Sequence, residues 1–234
     1  MAISAVQNVT NTNTTGTTIA ATFGATPTVN NLGVATIQSN DGTCTNETGW
    51  STAIDIYNAT EDDFARIAYK VFGASESATV TFTGFAGNTK LLGLSEWTGN
   101  ATASPLDQTA STGRTTGATS ISSGTTATTA QADELAVAVQ ALRALNGGGL
   151  SYTNSFSGFH NLNNGSAFSG LSATKILSAA AAIETTFSWT TSGTTWAGIA
   201  TFKASGGAAT TRGMPFGQRG TAFNGSRTFE GNIR

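Results

Sequence analysis

One histidine and one cysteine are the only side chains of their kinds in the 234 residues, so chemistry that depends on either has a single candidate residue. A structural zinc site needs four nitrogen or sulfur ligands, which His160 and Cys44 cannot supply. His160 has no Gly-X-Ser-X-Gly elbow or other nucleophile motif beside it. No helix start or basic cluster adjoins Cys44 to lower its thiol pKa. We therefore expect a surface or packing histidine and a partly buried, unreactive cysteine.

The acidic side chains are the other candidates for chemistry, and two groups of them are consecutive in sequence. Glu61, Asp62 and Asp63 point to alternate faces if they lie in a strand, and they favour the positive end of the dipole if they begin a helix. A calcium site on them is the open alternative, since calcium needs several converging oxygens. Asp133 and Glu134 follow a polar run and open a strand, which is typical of a turn cap. We predict no metal site and no cofactor.

Glu96 next to Trp97 is the best local candidate for glycoside hydrolysis, a reaction that needs a pair of carboxylates. One carboxylate is not a pair, and a hydrogen bond at a strand edge accounts for Glu96 equally well. We therefore predict that the protein is not an enzyme and has no catalytic residue. Trp97 is a candidate for stacking against a glycan, whereas Trp189 and Trp196 flank a turn in two late strands and favour core packing.

The last thirty residues, 205–234, have no amphipathic period of either kind, which indicates an extended arm. Three phenylalanines recur every six or seven residues among glycines and arginines. This spacing suits a strap whose rings enter apolar pockets and whose guanidinium groups meet carboxylates, and a flexible tail is the alternative. The residues that we predict to bind a partner are Arg212, Phe216, Arg219, Phe223, Arg227, Phe229 and Arg234.

Charge separates the arm from the body of the chain. Residues 1–203 hold seven Lys or Arg against twelve Asp or Glu, a net charge of −5, whereas residues 204–234 hold four against one, a net charge of +3. A basic arm on an acidic body favours contact with a neighbouring copy or with another acidic protein. Four arginines in an acidic chain fall short of the basic surface of nucleic-acid binders, so we predict no nucleic-acid partner.

Charged residues make up 10% of the chain, whereas soluble domains usually have about 25%. A surface of neutral polar groups is typical of proteins that work outside the cell. Residues 1–25 lack the basic start and the apolar stretch of a signal peptide, and no run approaches a membrane span. We expect a protein that is made in a host cytoplasm without a secretion signal, has no membrane partner and is displayed on the surface of a virion.

Short runs of alternating apolar and polar residues, each closed by turn residues, fill the body. The clearest of them predict half-buried strands at residues 50–57, 66–72 and 78–83. Gly, Ser, Thr and Asn separate the runs, without helical segments of ordinary length. The sequence therefore predicts an all-β fold, an antiparallel two-sheet β-sandwich of jelly-roll type with an extended C-terminal arm.

Two stretches do not follow the strand pattern. Residues 98–130 are nearly all small and polar, with Leu106 and Ile121 as apolar anchors, and we expect an exposed connection across a sheet edge with short edge strands. Thr60 and Asp63 resemble a capping box, and residues 175–183 contain an alanine run of high helix propensity. We expect at most one helical turn at Thr60 and no long helix at either place.

Four segments, residues 66–83, 91–107, 133–139 and 187–204, together resemble the β-sandwich domains of structural proteins in tailed bacteriophage virions, of the capsid decoration or tail-associated type, and of some bacterial surface proteins. The resemblance covers about residues 50–204 and consists of strand patterns without catalytic residues. It implies a two-sheet sandwich in a virion component. We divide the chain into a β-sandwich domain, residues 1–204, and an arm for assembly contacts, residues 205–234.

Two functions of different classes fit these features. In the first, the protein is a capsid decoration or cement protein whose arm binds the virion shell or neighbouring copies of the protein itself. In the second, it is a receptor-binding protein of a tail or fibre tip that recognises a host-surface glycan through Trp97 and Asn/Thr-rich loops. The arm favours the first, because adhesion depends on loops more than on a strap.

Overall fold

The computed structural model describes residues 2–40, 42–165 and 167–206, and every regular element in these ranges is a β-strand. The all-β prediction is confirmed. The strands are β1 (Ser4–Asn13), β2 (Thr18–Thr22), β3 (Leu32–Ser39), β4 (Ser51–Asn58), β5 (Asp63–Val71), β6 (Thr79–Thr83), β7 (Lys90–Thr98), β8 (Leu106–Ser122), β9 (Leu135–Arg143), β10 (Ser151–Tyr152), β11 (Ser157–Asn163), β12 (Ser169–Ile176) and β13 (Thr186–Phe202).

Two antiparallel sheets pack face to face, as the sequence predicts. The first sheet has the strand order β1-β7-β3-β5-β4. The second has the order β8-β13-β9-β12-β11, with β10 paired to the start of β13. Strands β2 and β6 form a small third sheet. Because strands distant in sequence are neighbours in both large sheets, each sheet forms only when long loops close.

Apolar side chains form three clusters, one between the large sheets and one on the outer face of each. Ile67 and Val137 lie in the cluster between the sheets. Phe82 of the small sheet packs in the cluster on the outer face of the first sheet, together with Ala68. Ile183 lies in the cluster on the outer face of the second sheet. Strands in the middle of each sheet are therefore buried on both faces.

The prediction of half-buried strands is wrong for β5, and the small sheet is the reason. Residues 66–72 alternate in polarity, yet the first six residues of β5 are all buried. Ile67 faces the second sheet, and Ala68 faces the small sheet formed by β2 and β6. A strand covered on both sides needs no polar face, and the small Ala side chains of β5 fit beneath that cover.

Residues 98–130 differ from the exposed connection with short edge strands that the sequence predicts. Residues 106–122 form a single strand of 17 residues at the edge of the second sheet, paired with β13. The following segment is not exposed throughout, because Ser123, Thr126 and Thr129 are buried. The polar composition misled the prediction, since hydroxyl groups can be buried when they are hydrogen-bonded.

The buried hydroxyl groups make a repeated contact that we call the Ser/Thr ladder. In each of its three pairs, the backbone N–H of a Ser or Thr donates to the carbonyl oxygen of a partner in residues 181–185. The N–H of that partner donates in return to the Ser or Thr hydroxyl oxygen, and all six distances lie at 2.8–3.2 Å. The pairs are Ser123 with Thr185, Thr126 with Ile183, and Thr129 with Ala181. The ladder holds an extended segment over the outer face of the second sheet.

The expectation about helices is confirmed at the alanine run, where residues 177–185 form no helix and include the partners of the Ser/Thr ladder. Thr60 lies in a turn, and its N–H donates to Asn58 Oδ1 at 3.1 Å. Asp62, in the same turn, has a φ of 59°, which ends any helical path. Over residues 2–40, 42–165 and 167–206, no helix is long and apolar enough to cross a membrane.

Candidate functional site

His160 lies in β11 between the two large sheets and packs against the backbone of Gly93 in β7. Its backbone N–H donates to Ser172 Oγ at 3.1 Å, and its Nδ1 lies 3.0 Å from the same oxygen. Burial lowers the pKa of His160 to about 4, so the ring is neutral at pH 7. Ser172 is fully buried, so this serine and histidine, although in hydrogen-bond contact, are not reached by a substrate. His160 is a packing residue.

Cys44 is buried beside Arg66, whose Nη1 donates to Cys44 Sγ at 3.2 Å and to its carbonyl oxygen at 2.7 Å. Burial raises the pKa of the thiol to about 12, although the Arg66 charge opposes the shift. Arg66 also forms an ion pair with Asp55. The thiol is therefore protonated and unreactive at neutral pH.

The acidic run at residues 61–63 has a different partner for each carboxylate. Arg114 Nε donates to Glu61 Oε2 at 2.7 Å, the Tyr57 hydroxyl to Asp62 at 2.6 Å, and Arg143 Nε to Asp63 Oδ2 at 2.6 Å. The hydrogen bond from Arg114 holds the pKa of Glu61 at about 2. In the described part of the chain, no three His, Cys, Asp or Glu side chains converge as metal ligands would.

Glu96 is buried and has a structural role that its sequence neighbour Trp97 conceals. Its two oxygens accept hydrogen bonds from Gln7 Nε2 at 2.6 Å, Thr28 N at 2.8 Å and Asn31 Nδ2 at 2.6 Å. These bonds tie β1 and the loop after β2 to the end of β7. A carboxylate that accepts three hydrogen bonds holds the donor segments in place. This role agrees with the hydrogen-bond interpretation of Glu96.

Trp97 is mostly enclosed, with 5% of its surface exposed. The indole Nε1 donates to Ser95 Oγ at 2.9 Å, and the ring lies 5.5 Å from that of Phe159, measured between centroids. The exposed remainder lines a hollow of about 350 Å³, which we call the tryptophan hollow; its other lining residues are Ser155, Ser157, Thr174, Lys175 and Ile176. Little of the indole face is open for a sugar ring.

A second hollow, of about 450 Å³, lies at the same end of the sandwich, and we call it the terminal hollow. It shares Ile176 with the tryptophan hollow, and 44% of that side chain is exposed. The lining residues are Ala2, Ile3, Gln131, Ala132, Asp133, Ile176, Ala204, Ser205 and Gly206. Both volumes fall in the range of roughly 300–1,000 Å³ that is usual for small binding pockets.

Hydrogen bonds fix the walls of the terminal hollow. Asp133 N donates to the Leu177 carbonyl at 2.7 Å, so the turn before β9 closes against the end of β12. Gln131 Nε2 donates to the Ala204 carbonyl at 3.0 Å, and Ser205 N donates to the Gly99 carbonyl at 2.7 Å. The chain is therefore held in place up to Ser205, and Gly206 forms part of the rim.

Glu134 is a buried ionisable residue, whereas the sequence indicates only a turn cap at this position. Its neighbour Asp133 does lie in a turn, with a φ of 61°, but Glu134 is fully buried. Burial raises the pKa of Glu134 to about 7, nearby Asp107 raises it further, and the Thr201 hydroxyl opposes the shift. No sequence signal distinguishes this glutamate from an exposed one, because the groups that raise its pKa are distant in the chain. Asp107, for example, lies 27 positions earlier.

The seven arm residues that the sequence predicts to bind a partner, Arg212, Phe216, Arg219, Phe223, Arg227, Phe229 and Arg234, lie outside the described residues. Their role and the domain boundary at residue 204 stay predictions. The described residues end at the terminal hollow, which the sequence does not predict because its walls come from four separate parts of the chain. No protein family, no curated protein and no solved structure matches the chain.

Proposed function

We propose that the protein is a structural, non-enzymatic component of a multi-copy assembly, a capsid decoration or cement protein on a virion surface, and that its C-terminal arm attaches it to neighbouring copies or to the shell. The observation that carries the proposal is the division of charge, −5 in residues 1–203 and +3 in residues 204–234. Opposite charges on two parts of one chain attract the arm of one copy to the body of another.

The body has the properties of a building block. Two large sheets and a small one enclose three apolar clusters, and the central strands are covered on both faces. Ion pairs join distant segments, for example Arg143 with Asp63 and Arg114 with Glu61. Such a body is a rigid platform on which an arm can act as the adaptable part.

The surface of the body also supports a role outside the cell. The edge strand β1 exposes Asn8, Thr10 and Thr12, and the edge strand β8 exposes further small polar residues. Only 10% of all residues are charged. Neutral hydroxyl and amide groups remain hydrated whatever the salt concentration, so this surface suits a particle that meets varied conditions.

The test is the mass of the protein in solution by light scattering, for the full chain and for a chain that ends at Gly206. We expect a defined oligomer for the full chain and a folded monomer for the shortened one. Circular dichroism of both chains checks that the body keeps its β structure. The same oligomeric state for the two chains would contradict the proposal that the arm joins copies of the protein and would leave attachment to the shell as its role.

A second candidate function, recognition of a host-surface glycan at a tail or fibre tip, is favoured by one observation. The tryptophan hollow combines part of an indole with the hydroxyl groups of Ser155 and Ser157 and the side chain of Lys175. These hydroxyl and ammonium groups can form hydrogen bonds with sugar hydroxyl groups, whereas Trp97, which is 5% exposed, offers little surface for stacking. Retention on immobilised host polysaccharide that is lost in Ser157→Trp, which fills the hollow, and kept in the exposed control Ser120→Trp, would support this function. No retention of the unaltered protein would exclude it.

A further inference from the structure

We propose that the terminal hollow is the docking site for residues 207–234 of a second copy, and that two copies exchange these segments reciprocally about a two-fold axis. The inference depends on the arm-mediated assembly proposed above and assigns its receptor surface. It requires a surface that can take apolar side chains, a location that arms can reach, and a geometry that closes the assembly.

The chemistry of the hollow suits the arm. Five of the nine lining residues are apolar, and one of them, Ile176, has 44% of its surface exposed. Single exposed apolar residues are common on this protein, since Val6, Val29 and Tyr57 are equally open, but Ile176 borders a hollow in which an aromatic ring could cover it. The described residues from 204 to 206 are small and cannot provide that cover, whereas the arm contains three phenylalanines and Met214. A phenylalanine ring that enters the hollow would cover Ile176.

Charge adds orientation to this contact. Asp133 is the charged residue among the nine that line the hollow, and it is exposed on the turn before β9. Each phenylalanine of the arm has an arginine three to five residues away, for example Phe216 with Arg219. A ring in the hollow would therefore leave a guanidinium group within reach of the Asp133 carboxylate, which it can bind through two N–H groups.

The position of the hollow fits a two-fold exchange. Gly206 is part of the rim, so the arm leaves each copy next to its own receptor. The point where the arm leaves the body and the hollow that would receive an arm therefore lie side by side. Two copies that face each other through this end and are related by a two-fold axis can exchange arms, and both hollows are then filled. Phe216 lies ten residues beyond Gly206, and ten extended residues reach about 33 Å, enough to cross such an interface.

The first experiment measures the mass of full-length variants by light scattering. Ala132→Trp fills the hollow, and Ile176→Lys places a positive charge where the basic arm would dock. We expect the unaltered protein to be a dimer and both variants to be monomers. Val29→Lys is the matched control, because Val29 is 49% exposed and does not line the hollow; we expect it to stay a dimer. Circular dichroism confirms that each variant is folded.

The outcomes separate this inference from the proposed function. If the full chain is a dimer, the chain ending at Gly206 is a monomer and both hollow variants remain dimers, the arm assembles the protein but the hollow is not its receptor. If the full chain forms a trimer or a larger ring, the two-fold exchange is wrong and the arm-mediated assembly stands. If the full chain and the shortened chain have the same oligomeric state, the exchange of arms and the arm-mediated contact between copies both fail.

A second experiment tests which copy supplies the arm. One full-length chain carries Ala132→Cys and another carries Phe216→Cys; the two are mixed, allowed to exchange and treated with a bismaleimide. Cys44 is buried and unreactive, so it can stay. We expect a covalent product of two chains, and none when Val29→Cys replaces Ala132→Cys. A link that forms only within a single chain carrying both Ala132→Cys and Phe216→Cys would overturn the exchange between copies.

Discussion

Glu134 shows how one buried carboxyl group can make stability depend on pH. The folded-state pKa of about 7 lies above the ordinary value of a glutamate, mainly because burial disfavours the charged form. Ionisation therefore favours the unfolded chain. The free energy of unfolding falls as the pH rises from about 4.5 to 7, and the loss is fully present above pH 7.

We expect Glu134→Gln to stabilise the protein at pH 8 by on the order of 2 kcal/mol and to have little effect at pH 4, because the amide replaces a buried charge at the higher pH only. Urea unfolding at the two pH values measures the difference. Asp133→Asn is the control, since it removes a charge at the neighbouring exposed position, where asparagine tolerates the φ of 61°. An equal gain at pH 4 and pH 8 would contradict this account.

Gly93 shows a second residue-scale constraint, a close approach between the sheets. A Cβ at Gly93 would lie 2.0 Å from His160 Nδ1, much closer than atoms can pack. We expect Gly93→Ala to lower the free energy of unfolding by about 2 kcal/mol or more, because the buried ring has to move. Chemical denaturation measures the change, and Gly113→Ala is the control, since its Cβ would meet nothing within 4 Å.

The cause of that loss can be checked by combining two substitutions. His160→Ala removes the ring that the new methyl group would meet. If the contact with His160 is responsible, the double variant will lose less stability than the sum of the two single variants. A strictly additive result would place the strain elsewhere.

The Ser/Thr ladder is the feature at the scale of elements that depends most on single hydroxyl groups. Thr126 accepts the N–H of Ile183 at 3.1 Å, and both residues are buried. Thr126→Val keeps the shape and removes the acceptor, so the Ile183 N–H loses its partner. We expect a loss of roughly 1–3 kcal/mol in the free energy of unfolding. Thr128→Val, two positions later and exposed, should change it little in the same denaturation experiment.

Because the central strands are buried on both faces, the alternation of apolar and polar residues predicted the burial of only some of the strands. In β3 every residue is buried, so its sequence carries no alternation to read. In β8 the reverse holds, because a strand at a sheet edge with a mostly exposed surface needs few apolar residues. Alternation reveals strands with one exposed face, and this fold has several strands of the other kinds.

At the scale of the whole molecule, we predict that the packed body folds without the arm. Among the described residues, the members of the three apolar clusters run from Ile3 to Ala204. We expect the chain that ends at Gly206 to have a thermal midpoint independent of protein concentration. The midpoint of the full chain should rise with concentration, since association stabilises the folded state by mass action. Calorimetry over a hundredfold range of concentration measures both, and a shortened chain that fails to fold would contradict the independence of the body.

Local features and sums over the sequence were enough to predict the fold class and the division of charge. Turn residues between short apolar runs are local features, so they predicted antiparallel strands and the absence of long helices. The hydrogen-bond interpretation of Glu96, one of two that its sequence left open, agrees with its three donors. The charges of the body and of the arm are sums over the chain and need no structure.

Tertiary structure alone decided which faces are buried and where the hollows lie. The second cover on β5 comes from β2 and β6, the raised pKa of Glu134 from enclosure near Asp107, and the terminal hollow from residues near 2, 132, 176 and 205. All three depend on contacts between segments far apart in the chain. Such contacts leave no periodicity in sequence, because burial is a property of what packs against a residue.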